Sequence, residues 1–207
     1  MQQLLNCRKG KEAAMSKVYF DISMSLDGFI TASGITADEP MGQDGERLHD
    51  WAFGSDPVNR DYLQRSVAQT GAVITGRVTY DASLPWWGAD GPTGPARRPV
   101  FVVTHSEPST SPEGGVYTFV TDGIESALKQ AGAAAGDLNV TIMGGAEIGR
   151  QYIAAGLVDE LSIHLIPVLL GGGTSMFEGL GDLHRGLEVV DVSSTPTAIH
   201  LRFALPQ

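Results

Sequence analysis

Two glycine turns carry the strongest chemical signal in this sequence. Asn139 to Met143 reads as a strand, Gly144-Gly145 follows, and a helical stretch starts at Ala146. Glycines at a strand-to-helix turn let a ligand approach the backbone closely. The free N–H groups and the dipole of the helix start then favour an anion, and phosphate is the usual one. The same dipeptide also suits a tight turn that needs positive φ and binds nothing, and by itself it does not separate the two. It is not the Gly-x-Gly-x-x-Gly fingerprint, which follows no strand here. A second turn of the same kind closes the apolar run Ala72 to Thr75, giving Gly76-Arg77-Val78-Thr79-Tyr80. Arg77 has the fork geometry to bind a phosphate in bidentate fashion, and Thr79 adds a hydroxyl. The competing reading is an exposed arginine beside a turn. A third polar group, Thr104-His105-Ser106, ends the β-branched run Pro99 to Thr104. It suits contact with a ribose, a base or a further phosphate, or it is a polar loop.

The elements that must hold these groups alternate along the chain. Strand patterns lie at Lys17 to Ser23, with Val18, Phe20 and Ile22 on one face, at Ala72 to Thr75, Pro99 to Thr104, Val116 to Val120, Asn139 to Met143 and Leu161 to Leu165. Gly186 to Leu205 reads as two long strands around Ser194-Thr195-Pro196-Thr197, with Ile199, Leu201 and Phe203 on one face and His200 and Arg202 on the other. Helices fill the gaps. Asp56-Pro57 opens one that runs to Gln69, with a cap residue and proline at the first helical position. Asp122 and Glu125 resemble a capping box before the stripe Ile124, Ala127, Leu128 and Ala131. Ala146 to Ala155 stops at Gly156. Strands separated by helices predict an α/β fold with a mostly parallel central sheet, helices on both faces and a C-terminal antiparallel hairpin. Ligands of such sheets bind outside the carboxyl ends of the strands, where both glycine turns fall.

Composition bounds the possibilities. The 207 residues make one ordinary domain, and 42% hydrophobic against 18% charged residues suits a globular core. A net charge of −10 repels nucleic acid, so no nucleic-acid partner is expected. Cys7 is the single cysteine, no Cys/His cluster has metal-binding spacing, and no apolar run approaches a membrane span. These features fit a reducing cytoplasm, with no metal and no membrane. Residues 1–16 are basic and aperiodic and are read as a disordered or non-native extension, with residues 17–207 as the folded domain.

The ordered set of motifs resembles the dihydrofolate reductase-like family, in the branch of the riboflavin biosynthesis reductase (RibD C-terminal) domain. The resemblance rests on Ser25-Leu26-Asp27-Gly28-Phe29-Ile30, Thr75 to Tyr80, Val103-Thr104-His105-Ser106, Met143-Gly144-Gly145-Ala146-Glu147-Ile148, Asp159-Glu160-Leu161 and Pro167 to Gly173. It implies an oxidoreductase that uses NADPH. Gly76, Arg77, Thr79, Gly144, Gly145, Ala146, Glu147 and Ile148 would grip its phosphates, and Thr104, His105 and Ser106 would face its adenosine end. Leu170, Gly171 and Gly172 would lie on the nicotinamide and substrate side. A homodimer, formed through edge strands near the C-terminus, is also what the resemblance implies.

The substrate side rests on fewer residues. Asp27 follows the first strand, where it would orient substrate or relay a proton, or simply turn the chain before Gly28. Gly45-Glu46-Arg47-Leu48-His49-Asp50-Trp51 opens a helix. The family's ring-binding acid aligns ambiguously with Glu46, His49 or Asp50 there. His49 titrates near neutral pH and Trp51 offers a flat apolar face, although a tryptophan is more often core. His164 reads as a satisfied core or interface histidine, His184 and His200 as exposed. Trp86-Trp87 reads as a lid or a loop anchor. The expected activity is hydride transfer to a C=N or C=O carbon of a pterin- or pyrimidine-like small molecule, with Asp27 and His49 as the catalytic candidates. The alternatives are a free-standing 5-amino-6-(5-phosphoribosylamino)uracil reductase of the riboflavin pathway and a non-catalytic nucleotide-binding module.

Overall fold

The computed structural model describes residues 16–181 and 184–206, so the expectation for residues 1–16 lies outside it apart from Ser16. Ten strands form in chain order: β1 Val18–Ser25, β2 Phe29–Ala32, β3 Thr70–Gly76, β4 Val100–Val103, β5 Tyr117–Val120, β6 Asn139–Met143, β7 Glu160–Ile166, β8 Gly173–Ser175, β9 Glu188–Ser194 and β10 Ile199–Ala204. Five α-helices join them: α1 Asp50–Phe53, α2 Pro57–Gln69, α3 Arg77–Trp87, α4 Ile124–Ala135 and α5 Ala146–Ala154. Eight strands make the main sheet in the order β5-β4-β3-β6-β1-β7-β10-β9. Every pairing from β5 to β7 is parallel, and β10 and β9 close the sheet as an antiparallel hairpin. β2 and β8 pair separately.

Alternation sorts the strand side chains between two helical layers. Phe20, Ala72, Ile74, Val140, Ile142, Leu161 and Ile163 pack with Ala127, Ala131, Ile148 and Tyr152 of α4 and α5. The alternate positions face the other way: Val73, Val100 and Val102 meet Tyr80 of α3, and Ile166 meets Trp51 of α1 with Tyr62 and Leu63 of α2. Gly149 lets α5 lie directly on Phe20, where a Cβ would overlap the ring. α2 begins as expected, with the Asp56 carboxylate accepting from Val58 N at 2.8 Å and Asn59 N at 3.2 Å. Such a cap stabilises by about 1 kcal/mol.

Four expectations need correction or addition. His200 is buried, at 2% exposure, because the residue opposite it on β7 is His164 and α2 covers both. Asp122 does not cap α4; Gly123 is the cap residue, with φ of 101° and no side-chain cap bond, so Asp122 stands one position too early. Trp86 and Trp87 fall in the last turn of α3, which continues through Pro85, and Trp86 is exposed. β2 and β8 went unread, since each is short and pairs only with the other across a long sequence separation.

Candidate functional site

In the sheet order β3-β6-β1-β7, parallel pairing lines up four strand ends along one edge. The Gly76 turn, the Gly144-Gly145 turn, the Asp27 turn and the 167–172 loop therefore follow one another. The first two are packed together. A Cβ on Gly144 would overlap the Thr79 methyl of α3, and one on Gly145 would come within 3.1 Å of Thr79 Oγ1. A Cβ on Gly76 would sit 3.6 Å from Ile148 Cβ on α5. Both paired glycines have positive φ, 70° and 63°, which a side chain rarely adopts. Close packing and backbone conformation thus account for these glycines by themselves.

What they leave behind is two helix N-termini side by side. α3 starts after Gly76 and α5 after Gly145, and neither has a side-chain cap bond. The first-turn N–H groups of both helices lack intrahelical partners, so two partial positive ends converge on one place. Arg77 stands there but is engaged. Its Nε donates to both oxygens of Asp81 at 2.8 Å, and its Nη1 donates to the Ser106 carbonyl at 3.0 Å. It thereby ties the α3 start to the loop after β4. In that loop Thr104 Oγ1 donates to Ser106 O at 2.8 Å, while His105 is exposed. Glu147 is exposed and holds Gln151 at 3.0 Å. The residues expected to hold a cofactor, Gly76, Arg77, Thr79, Thr104 to Ser106 and Gly144 to Ile148, thus share one region. The donor set there suits a pyrophosphate group: backbone N–H groups, hydroxyls and a guanidinium.

Further along the same edge Asp27 knits two segments together. Its carboxylate accepts from Ser25 Oγ at 2.6 Å, from Leu170 N at 3.2 Å and from Gly171 N at 2.7 Å. Leu26 N also donates to Val168 O at 3.0 Å. The Ser25 hydroxyl first, then the backbone donors, hold this carboxyl below the usual carboxylate range. Gly172 lies against Ser33, whose Oγ a Cβ would approach to 2.9 Å. His49 is half-buried just before α1, and burial pushes its imidazole down from the ordinary value. Trp51 points inward at 4% exposure, its Nε1 donating to Ser23 Oγ at 2.9 Å. It therefore floors this region and offers no free face. Asp27 and Leu170 with Gly171 are brought together; no hydrogen bond joins Asp27 to His49 among the described residues.

His164 is the satisfied core histidine its strand suggests, but the rest of the polar layer beneath α1 and α2 is not anticipated from the sequence. Asp21, Ser23, Ser162, His164 and His200 present polar side chains to those helices, with Asn59 and Tyr62 facing them. The signal was present in Lys17 to Ser23, whose alternation puts Asp21 and Ser23 opposite Phe20 and Ile22. In a sheet covered on both faces, that second row must be buried and must find partners. Among the described residues no group of three His, Cys, Asp or Glu side chains is placed to hold a metal ion, and no helix is long and apolar enough to cross a membrane.

Solved structures share this fold. A Shewanella sp. PV-4 protein named for riboflavin biosynthesis superimposes with a TM-score of 0.71 at 22% identity, over 92% of this chain and 99% of that one. The Thermotoga maritima diaminohydroxyphosphoribosylaminopyrimidine deaminase/5-amino-6-(5-phosphoribosylamino)uracil reductase gives 0.65 at 15% identity, over 93% of this chain but only 57% of its own. Dihydrofolate reductase from Enterococcus faecalis, complexed with NADP(H), gives 0.55 at 16% identity, over 92% and 97%. No curated protein sequence matches the chain. The model of the RibD C-terminal domain matches residues 16–201, which spans the turns of this site, and the chain belongs to the RibD C-terminal domain family.

Proposed function

We propose that this chain is an NADPH-dependent reductase that delivers a hydride to a C=N or C=O carbon of a pterin- or pyrimidine-like small molecule. One observation carries the reading: the two uncapped helix N-termini at Gly76 and Gly145, packed side by side through Thr79, beside an arginine tied to the Thr104 to Ser106 loop. That arrangement fits the pyrophosphate of a dinucleotide. Family membership and the NADP(H) complex of the Enterococcus relative support the choice of nucleotide. Preference for NADPH over NADH rests on Arg77 and His105, which would stand beside a 2'-phosphate. NADPH, when bound, supplies the hydride. The chain's residues supply position and a proton. Asp27 is held ionised by three donors, so it orients the 170–171 segment and substrate rather than donating a proton. His49 is the candidate proton relay: it would take a proton from solvent and pass it on as imidazolium, a charged form that burial disfavours. Leu170, Gly171 and Gly172 would line the nicotinamide side, with Trp51 as a floor.

The narrower reading, a free-standing 5-amino-6-(5-phosphoribosylamino)uracil reductase, takes its support from the Thermotoga relative, of which this chain spans 57%. Edge strand β9, with Val189, Val190 and Val192 exposed, is the surface where a second copy would join the sheet. The proposed setting is the cytoplasm. Titration with NADPH tests the core of the proposal: saturable binding is expected, and no binding at millimolar concentration would sink it. Binding without oxidation across panels of pterins, pyrimidines and quinones would favour a nucleotide-binding module instead. Unchanged single-turnover hydride transfer in both Asp27→Ala and His49→Ala would remove the catalytic assignments while leaving the cofactor site standing.

A further inference from the structure

The polar layer under α1 and α2 contains a closed chain of hydrogen bonds. His164 of β7 and His200 of β10 stand opposite each other, at 1% and 2% exposure, with Nδ1 to Nδ1 at 2.8 Å. His164 Nε2 lies 3.3 Å from both oxygens of Asp21. His200 Nε2 lies 2.9 Å from Asn59 Oδ1, and Asn59 Nδ2 donates to Thr197 Oγ1 at 3.0 Å. The Trp51 ring packs against His164 with centroids 4.2 Å apart, and Tyr62 stacks on His200 at 4.6 Å.

Proton counting decides the charge of this chain. A nitrogen facing a carboxylate must carry a proton, and so must one facing an amide oxygen. Two ring nitrogens facing each other need one proton between them. That makes three protons on four ring nitrogens, whereas two neutral imidazoles hold only two. In the observed arrangement the pair therefore bears one positive charge. A neutral chain also closes, but only if the Asn59 amide turns over to donate to His200 and accept from Thr197. The two states differ by one proton and one amide rotation.

Charge pairing selects between them. Arg202, which lines the same cavity as Asp21, is paired with Glu160 at 3.1 Å, and Glu160 also holds Lys17. Among the described residues no Lys or Arg pairs with Asp21, and a carboxylate whose side chain is only 19% exposed favours a cation beside it. The other titratable groups beside the pair are Tyr62 and Asp56 of α2 and its cap, and His49; Asp50 and Glu46 act on His49, and Asp191 and Arg202 act on Tyr62. Of these, Asp56 is the acidic group that acts on His200 directly, and it favours a cation as well. Consistently, His164 holds the Asp21 carboxyl down against burial, and burial with the neighbouring charge lowers His200 to about 4. The ring placed to hold the charge is His164, whose Nε2 stands 3.3 Å from both Asp21 oxygens. A polar cavity of about 60 Å³ lined by Asp21, Ser162, Tyr62 and Arg202 gives the proton a route to solvent.

We propose that His164 and His200 hold three ring protons and one positive charge against Asp21, and that this buried chain is a pH-sensitive latch that clamps α1 and α2 to the sheet. Loss of the third proton at alkaline pH leaves Asp21 without a counter-charge, turns the Asn59 amide and loosens α2. Trp51, which rests on His164, loosens with it.

The test is ring-nitrogen NMR on the full chain labelled with nitrogen-15 in histidine, recorded across a pH titration. Near neutral pH, three of the four nitrogens of this pair are expected to be protonated, with His200 Nδ1 the exception; two protonated nitrogens would overturn the proposal. Amide exchange of α2, corrected for intrinsic pH dependence, is expected to rise about tenfold or more as the third proton is lost, with α4 on the opposite face unchanged. Constant protection of α2 through that transition would overturn the latch. In Asp21→Asn the count is expected to fall from three to two at the same pH, and a persistent count of three would show that Asp21 does not hold the charge. If that variant does not fold, the titration of the native chain decides alone.

Discussion

Replacing Gly144 with alanine is expected to destabilise the protein sharply, and adding Thr79→Ser is expected to recover much of the loss. Two separable costs arise at Gly144. Its φ of 70° costs a non-glycine residue about 1 kcal/mol. The new methyl would overlap the Thr79 methyl, with Thr79 Oγ1 at 3.0 Å and Cβ at 3.2 Å behind it, and overpacking of this kind costs about 2 kcal/mol. Gly144→Ala alone is therefore expected to cost about 3 kcal/mol, a fall of about 1.2 M in the urea midpoint at an unchanged slope. Thr79→Ser alone removes one partly buried methyl, for about 0.5 kcal/mol. In the double variant the methyl overlap is gone and the φ cost stays, so the loss is expected near 1.5 kcal/mol. The coupling between the two positions is then about 2 kcal/mol. Urea unfolding of the four proteins of the cycle measures it. Additive losses, or a neutral Gly144→Ala, would refute the claim that Thr79 is packed into the glycine turn, and with it the geometry that joins the two helix N-termini.

Three further outcomes are expected. Arg77→Met removes the tie between α3 and the Ser106 carbonyl, so NADPH affinity falls while the urea midpoint barely moves, since the Arg77–Asp81 pair is largely exposed; a large loss of stability with unchanged affinity would reverse the assignment. Trp51→Phe leaves the buried Ser23 hydroxyl without its indole donor and is expected to cost about 2 kcal/mol in urea unfolding, whereas a neutral result would mean that bond is not formed. His200 has a folded value near 4 against an ordinary 6.5. The unfolded chain therefore binds the proton first, and this contribution, present above about pH 6.5, is lost as pH falls toward 4. It amounts to about 3 kcal/mol. Unfolding measured at pH 7 and near pH 4.5 should differ less in His200→Gln; an equal difference in both proteins would exclude His200 as the source.

The parallel architecture was legible because its signals are local. Asn139 to Met143 and Pro57 to Gln69 form with the bounds that β-branched runs and the Asp56-Pro57 start predict. The two glycine turns were legible for the same reason, since a helix start, and at Gly144-Gly145 positive φ as well, is set by neighbours in sequence. Family resemblance ordered them into one site. The β2–β8 pair was not legible, because its partners are far apart in sequence and neither has a pattern of its own.

Sequence alone determined which residues stand at the strand ends, for alternation and turn chemistry repeat within a few positions. Only tertiary structure decided what those residues touch. Asp27 is a bond acceptor for Leu170 and Gly171, Arg77 is committed to Asp81 and Ser106, and Trp51 is a floor under a buried layer. His200 shows the difference most plainly. Its side of the β10 strand followed from alternation, but its burial depends on α2 lying over that side and on His164 standing opposite. No local pattern encodes a layer built from five distant segments, because burial is a property of what packs above a residue.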